Sequence, residues 1–159
     1  MSNTNLWIMC GVPGCGKSYF AKNILMTDDS WQYISRDEVR YSIIKDGEPY
    51  FSKENKVFKE FCDRIIYACE CDEYHNVIAD ATHLNTASRM KLLNRLSLDG
   101  VNVFCVYFKT PLDICIARNK CRKGRECVPE DVIKKMWSSR NLPNLDGYNY
   151  AGILEVSGL

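Results

Sequence analysis

The sequence predicts an α/β fold: a parallel sheet of four to five strands flanked by helices. Three observations carry that prediction. Short apolar runs alternate along the chain with stretches of helical periodicity. The first run ends in a glycine-rich loop that opens into a helix. Residues suited to start helices, among them Ser35, Asn85, Pro111 and Pro129, stand just before the helical stretches. Crossovers between such strands are right-handed.

Each element follows from its own residues. "LWIMC" (6–10) is a short apolar run stopping at a glycine, as a buried parallel strand does. A helix is predicted from Gly16 to about Met26, and "WQYIS" (31–35) reads as the second strand. Ser35 precedes Glu38 by the spacing of a capping box, so a helix starts there and runs through "DEVRYSIIK". "DGEPYF" (46–51) is turn chemistry. A long helix over about 53–74 places Val57, Phe58, Phe61, Ile65 and Cys69 at helical spacing. "NVIAD" (76–80) is a strand that stops at an acid. A helix over about 86–98 follows, with Asn85 as its N-cap. "VNVFCVYF" (101–108) is the most strand-like run, Pro111 and Pro129 each open a helix, and "GILEV" (152–156) closes as a last strand.

Composition bounds the function. A chain of 159 residues suits one domain, and the 46% apolar content supports a true core. The net charge of +1 excludes a strongly basic nucleic-acid coat protein but permits a local basic groove. No signal peptide and no apolar stretch of bilayer-spanning length is visible, so a cytoplasmic, non-membrane protein is expected. The nine cysteines form no C-x-x-C pair, and neither His75 nor His83 stands at a zinc-like spacing. They read as small buried apolar residues of a reducing compartment.

Three clusters carry chemistry. Gly11, Gly16, Lys17 and Ser18 in "GVPGCGKS" satisfy G-x-x-x-x-G-K-[ST]. Such a loop wraps phosphate oxygens in backbone amides, so Gly14 and Cys15 belong to the nucleotide-binding set with Gly11, Gly16, Lys17 and Ser18. Lys17 can reach the β- and γ-phosphates of ATP, and the Ser18 hydroxyl can ligate Mg²⁺. Cys15 reads as a spacer whose backbone matters, with a thiol that could confer sensitivity to oxidation.

In "SRDEVR" (35–40), Asp37 and Arg40 share a helix face. An acid at a strand end beside a nucleotide could take a proton from an acceptor hydroxyl; it could equally serve the helix dipole. Positioning dominates phosphoryl transfer, so a weak but well-placed carboxylate is adequate. "RNKCRKGR" (118–125) holds Arg118, Lys120, Arg122, Lys123 and Arg125 around Gly124. Like charges at 118 and 122 repel on a bare helix unless an anion lies between them, which suits a lid closing on polyphosphate. The alternative is a solvated basic loop. Asp80, at a strand end, reads as magnesium-organising, acceptor-positioning or a turn residue. Tyr50 and Phe51 near Lys53 and Lys56 could stack bases, but packing is the favoured reading.

With these clusters in order, the chain resembles the kinase domain of polynucleotide 5′-hydroxyl kinases, over essentially its whole length. "GVPGCGKS" looks like that family's phosphate loop and "SRDEVR" like its Arg-Asp-x-x-Arg element. "IADATHLNTASR" (78–89) resembles its strand-Asp-x-Thr-Asn segment, with Asp80 and Arg89 on matching positions and His83 where the family usually has Asn. "RNKCRKGRECVPEDVIKKM" (118–136) resembles its lid.

The resemblance implies ATP as donor, Mg²⁺, and the 5′ end of DNA or RNA as partner and acceptor. It makes Asp37 the general base, and gives Arg40, Asp80 and Arg89 to the acceptor. Arg122 is the best match to the catalytic arginine, with Arg118 and Arg125 as alternatives, and Arg118 and Arg122 contact the nucleotide. No phosphatase signature occurs, so one kinase domain over 1–159 is expected, with a lid at about 118–128. The rival readings are a kinase of this fold with a nucleoside, nucleotide, modified base or sugar-nucleotide acceptor, and an NTP-dependent switch.

Overall fold

The computed structural model describes residues 3–158, apart from the side chain of Arg125. Five strands build one sheet in the order β2-β3-β1-β4-β5. They are β1 Asn5–Cys10, β2 Trp31–Ser35, β3 Asn76–Asp80, β4 Asn102–Phe108 and β5 Gly152–Val156. Every pairing is parallel, with Met9 opposite both Asp80 and Val106, and Ser35 opposite Asp80. All strands therefore end on one side of the sheet. The chain leaves β1 between neighbours that come later in sequence, β3 and β4, and ligands bind in the crevice at such a switch point.

Helices cover both faces. On one side α2 (Arg36–Ile43), α3 (Glu54–Glu70) and α4 (Thr86–Leu96) bury Val39, Phe61, Ile65 and Leu92 against Leu6, Ile8, Ala79 and Cys105. On the other, α1 (Lys17–Phe20), α5 (Leu112–Lys120) and α6 (Glu130–Ser139) contribute Phe20, Cys115 and Ile133 against Met9, Ile78 and Val106. The strands contribute apolar residues to both cores, which is why they read as continuous apolar runs rather than alternating ones.

Several elements end earlier than their periodicity predicts. The helix after the loop changes at Phe20 into a π-helical turn, Ala21–Leu25, closed by the Met26 amide on the Ala21 carbonyl at 3.0 Å. The long helix stops at Glu70, with Cys71 already extended. α4 stops at Leu96 because Ser97 turns left-handed at φ 44°. Ser35 caps α2 by accepting from the Glu38 amide at 3.3 Å. The complete capping box is instead at Asn85 and Ser88, which accept each other's amides.

Six of the nine cysteines are buried, Cys71 is half-buried and Cys121 and Cys127 are exposed; none is in a disulfide. No helix among the described residues is long and apolar enough to cross a membrane.

His83 sits just past β3 in left-handed backbone at φ 40°. Its ring is buried, with Nδ1 2.8 Å from the Met9 carbonyl oxygen, and stacks on Phe61. Burial pushes it down to about 3 from the ordinary value, and the Met9 carbonyl only partly opposes this. The folded protein thus holds His83 neutral, while the unfolded chain takes up a proton below about pH 6.5. Stability contributed by the neutral ring is intact above that pH and is lost as pH falls towards 3. Between pH 7 and pH 5 the wild type is expected to lose about 2 kcal/mol more than His83→Asn, since Asn tolerates left-handed backbone. Denaturant midpoints at the two pH values check this, and equal acid losses would refute it.

Candidate active site

The phosphate loop runs from the end of β1 into α1, and its glycines are required by geometry. Gly14 has φ 85°, and a Cβ there would sit 2.4 Å from the Cys115 carbonyl oxygen of α5. At Gly11 a Cβ would lie 2.5 Å from the Cys15 sulfur. Gly11 lies under the loop, donating its amide to the Thr82 carbonyl at 2.9 Å. Lys17 Nζ donates to the Gly11 and Val12 carbonyls at 2.9 and 3.2 Å, which folds the ammonium over the loop. Cys15 is buried, and burial pushes its thiol up despite the neighbouring Lys17 ammonium. The thiol is therefore poorly placed for oxidation, and Cys15 sits in the loop as a buried spacer. The Cys15 carbonyl accepts from the Thr110 hydroxyl at 2.7 Å, which anchors the loop to the end of β4.

Two cavities meet at this loop. The larger, about 610 Å³, is lined by Gly14, Gly16, Lys17, Ser18, Arg118 and Arg122. The second, about 260 Å³, includes Arg36, Asp37, Arg40, Phe51 and Asp80 in its lining. Lys17, Ser18 and Arg122 line both. Arg122 thus stands where the two spaces join, whereas Arg118 faces only the larger. Arg125 falls outside the described side chains. The basic segment after α5 is tied at its base by buried Asn119, which accepts from the Val128 amide at 2.9 Å and donates to its carbonyl at 2.6 Å.

Asp80 and Ser18 come together at the floor, the Ser18 hydroxyl donating to Asp80 Oδ2 at 2.9 Å. Tyr33 of β2 donates to the same Asp80 oxygen and lies 3.2 Å from Ser18 Oγ. Burial, and then the Asp80 charge, push the Tyr33 hydroxyl up, so it acts as a neutral donor. A hydroxyl and a carboxylate side by side are hard oxygen donors. They suit Mg²⁺, which keeps waters and substrate phosphates as its other ligands. No cluster of three metal-ligating His, Cys, Asp or Glu occurs among the described residues. Asp80 thus stands with Ser18 at the floor of the loop, and its carboxylate also borders the smaller cavity.

Asp37 lies in the first turn of α2, two residues past the Ser35 cap, and is exposed at the smaller cavity. Its Oδ1 accepts from Arg40 Nη1 at 2.5 Å and from the Tyr50 hydroxyl. Arg40 is buried and committed: Nε and Nη2 reach Glu54 at 2.7 and 3.0 Å, and Nη1 reaches Tyr50 at 2.8 Å. Burial works against its charge, but the Glu54 hydrogen bonds override this and hold the guanidinium protonated. The expectation that Arg40 presents itself to an acceptor phosphate is corrected: four of its five N–H donors go to Glu54, Asp37 and Tyr50, and it orients Asp37. Arg36, half-buried in the same cavity and paired with Glu54 at 3.2 Å, is the neighbouring cation that sequence reading passed over.

Arg89 is likewise corrected. It is fully buried, in a two-bond pair with Asp146 at 2.6 and 2.9 Å, and also donates to the His83 carbonyl and to Asn141. It lines neither cavity. No acceptor can reach it. Tyr33 and Glu54 are the site residues that motif reading missed, because each reaches the site from an element distant in sequence; Tyr50, weighed for base stacking and read as packing, instead bonds Asp37.

The chain matches the AAA domain family over residues 6–143. It is 25% identical over 146 residues to an L-seryl-tRNA(Sec) kinase of Methanococcus maripaludis, covering 92% of this chain and 55% of that protein. The chain thus spans about half the length of this curated relative. Among solved structures, a fungal RNA kinase superposes with a TM-score of 0.69 at 13% identity, covering 99% of this chain and 76% of that one. A chain of the Pnkp1/Rnl/Hen1 RNA repair complex superposes with a TM-score of 0.70 at 21% identity, covering 87% of this chain and 44% of that one. The fold is that of the P-loop kinases: a five-stranded parallel sheet with helices on both faces and the phosphate loop after its central strand. By the extent and position of the family match, the chain belongs to the AAA domain family.

Proposed function

We propose that this domain transfers the γ-phosphate of ATP to the 5′-hydroxyl end of a polynucleotide, RNA or DNA. One observation carries the reading: Arg122, Lys17 and Ser18 border both a nucleotide-sized space and a second space whose rim holds an exposed, doubly hydrogen-bonded carboxylate. That arrangement supports a donor in the larger space, an acceptor in the smaller one and the transferring group between them.

The loop amides and Lys17 hold the β- and γ-phosphates. Ser18 and Asp80 would hold Mg²⁺, which when bound neutralises charge on the phosphate oxygens. Asp37 accepts the proton of the attacking hydroxyl, in the orientation set by Arg40 and Tyr50. Arg122 supplies positive charge to the transferring group. Arg118 binds the nucleotide. The named activities of the relatives, on RNA and on a tRNA-borne seryl group, support a nucleic-acid-linked acceptor.

The test offers labelled ATP with a 5′-OH oligonucleotide, the free nucleoside and a simple sugar. Transfer to the oligonucleotide, with the others at least tenfold poorer, is the expected result. Preference for the nucleoside or the sugar would overturn the reading in favour of a small-molecule kinase of the same fold. ATP binding with no acceptor-dependent ADP release would favour a switch.

A further inference from the structure

We propose that Phe51 is the surface on which the terminal base of the acceptor stacks, so that it selects a base-bearing 5′ end over a bare sugar alcohol. This rests on the polynucleotide reading above and adds a residue and a basis of selection to it. Phe51 lies in the 46–53 turn between α2 and α3, and 55% of it is exposed. It joins neither hydrophobic core, whereas Phe58, a short way along α3, packs against one of them. It is the one phenylalanine among the exposed large apolar side chains of the described residues. The packing explanation that suits an aromatic beside a long helix therefore does not apply to it.

Its exposed ring borders the smaller cavity, and its place there is tied to the carboxylate. The Tyr50 hydroxyl donates to Asp37, and the Tyr50 and Phe51 rings meet edge to face at 4.7 Å. The Arg40 guanidinium, itself bonded to Asp37, lies 4.4 Å from the Tyr50 ring centre and 5.5 Å from that of Phe51. Asp37, Arg40, Tyr50 and Phe51 are thus joined by direct contacts. A 5′-hydroxyl presented to Asp37 belongs to a sugar that carries its base on the same face of the ring, and an exposed phenyl ring lines the cavity beside that carboxylate.

Chemistry decides between acceptors. A phenyl face offers no partner to a sugar hydroxyl, so a polyol placed there loses hydrogen bonds to water and gains none. A base loses nothing at its flat face and gains stacking, whatever its identity. Val128 and Met136, which line the same cavity, add apolar surface rather than hydrogen-bonding groups. Selection by a π-face predicts tolerance of any base and intolerance of none.

The test compares two oligonucleotides identical except at the 5′-terminal nucleotide, which is either normal or abasic, each with a free 5′-hydroxyl. Wild type is expected to favour the base-bearing end by roughly tenfold in kcat/KM, mainly through KM, the scale of one base–aromatic stack. Phe51→Ala should lose that preference, its kcat/KM on the base-bearing end falling to its own value on the abasic end; Phe51→Trp should keep it. A 2-aminopurine at the 5′ end should be quenched on binding wild type but not Phe51→Ala. A preference retained in Phe51→Ala, or an equal loss on both substrates, overturns stacking and leaves the kinase reading standing. No transfer by wild type to either oligonucleotide overturns both.

Discussion

Asp37→Asn is expected to lower phosphoryl transfer by roughly 10²–10⁴, with fold and ATP affinity unchanged. The substitution is nearly isosteric, and the Asn Oδ1 can still accept from Arg40 Nη1 and the Tyr50 hydroxyl. Arg40 keeps its charge partner in Glu54, which takes two of its donors. What the amide cannot do is accept the proton of the attacking hydroxyl. The larger cavity does not include Asp37 in its lining, so nucleotide binding has no reason to change. Single-turnover transfer to a 5′-OH oligonucleotide, beside calorimetric ATP binding, separates the two quantities. Near-normal turnover would remove Asp37 from the mechanism. Tyr50→Phe, which takes one hydrogen bond from the carboxylate, should cost far less than Asp37→Asn.

Arg89→Ala should destabilise the fold by about 3–5 kcal/mol, the cost of stranding one partner of a buried ion pair. For a chain of this size that is a fall in Tm of about 6–20 °C. Arg89 and Asp146 both have fully buried side chains. Burial pushes the Asp146 carboxyl up, but hydrogen bonds from Arg89, Thr86 and Tyr150 override it and hold it below the usual carboxylate range. Asp146 also accepts from Thr86 at 2.6 Å and from the Tyr150 hydroxyl at 2.6 Å. The cluster pins the segment between α6 and β5 onto the start of α4. A paired Arg89→Met, Asp146→Leu replacement should recover much of the loss, because apolar side chains need no counter-charge. An acceptor-gripping Arg89 would behave in the opposite way, with unchanged Tm and a raised KM for the oligonucleotide.

The sheet and its helices were legible because their signals are local. β1, β2 and β3 follow the apolar runs to within a residue, and Ser35 and Asn85 cap the helices they precede. Helix ends were less legible. Periodicity does not report a left-handed Ser97 or a π-helical turn after Phe20. The phosphate loop is spelled by contiguous residues, and its chemistry could be read before any fold was known.

The acceptor side was harder. Arg40 and Arg89 match a motif in type and spacing, yet each guanidinium is taken by a carboxylate distant in sequence: Glu54 for one and Asp146 for the other. Tyr33 reaches Asp80 from the neighbouring strand, and Tyr50 reaches Asp37 from a turn. Which charged side chains remain available to a ligand depends on contacts between separate elements, and no spacing rule carries that information.

By itself, then, the sequence determined the parallel α/β architecture, the phosphate loop with Lys17 and Ser18, and the presence of a basic segment that could cover it. Backbone preference and short-range spacing are enough for those. Tertiary structure alone decided that Arg122 borders both cavities, that Asp80 stands with Ser18, that Arg40 orients Asp37 and that Arg89 is a buried strut. Burial and pairing, which set whether a charge is free to act, exist only once the elements have packed.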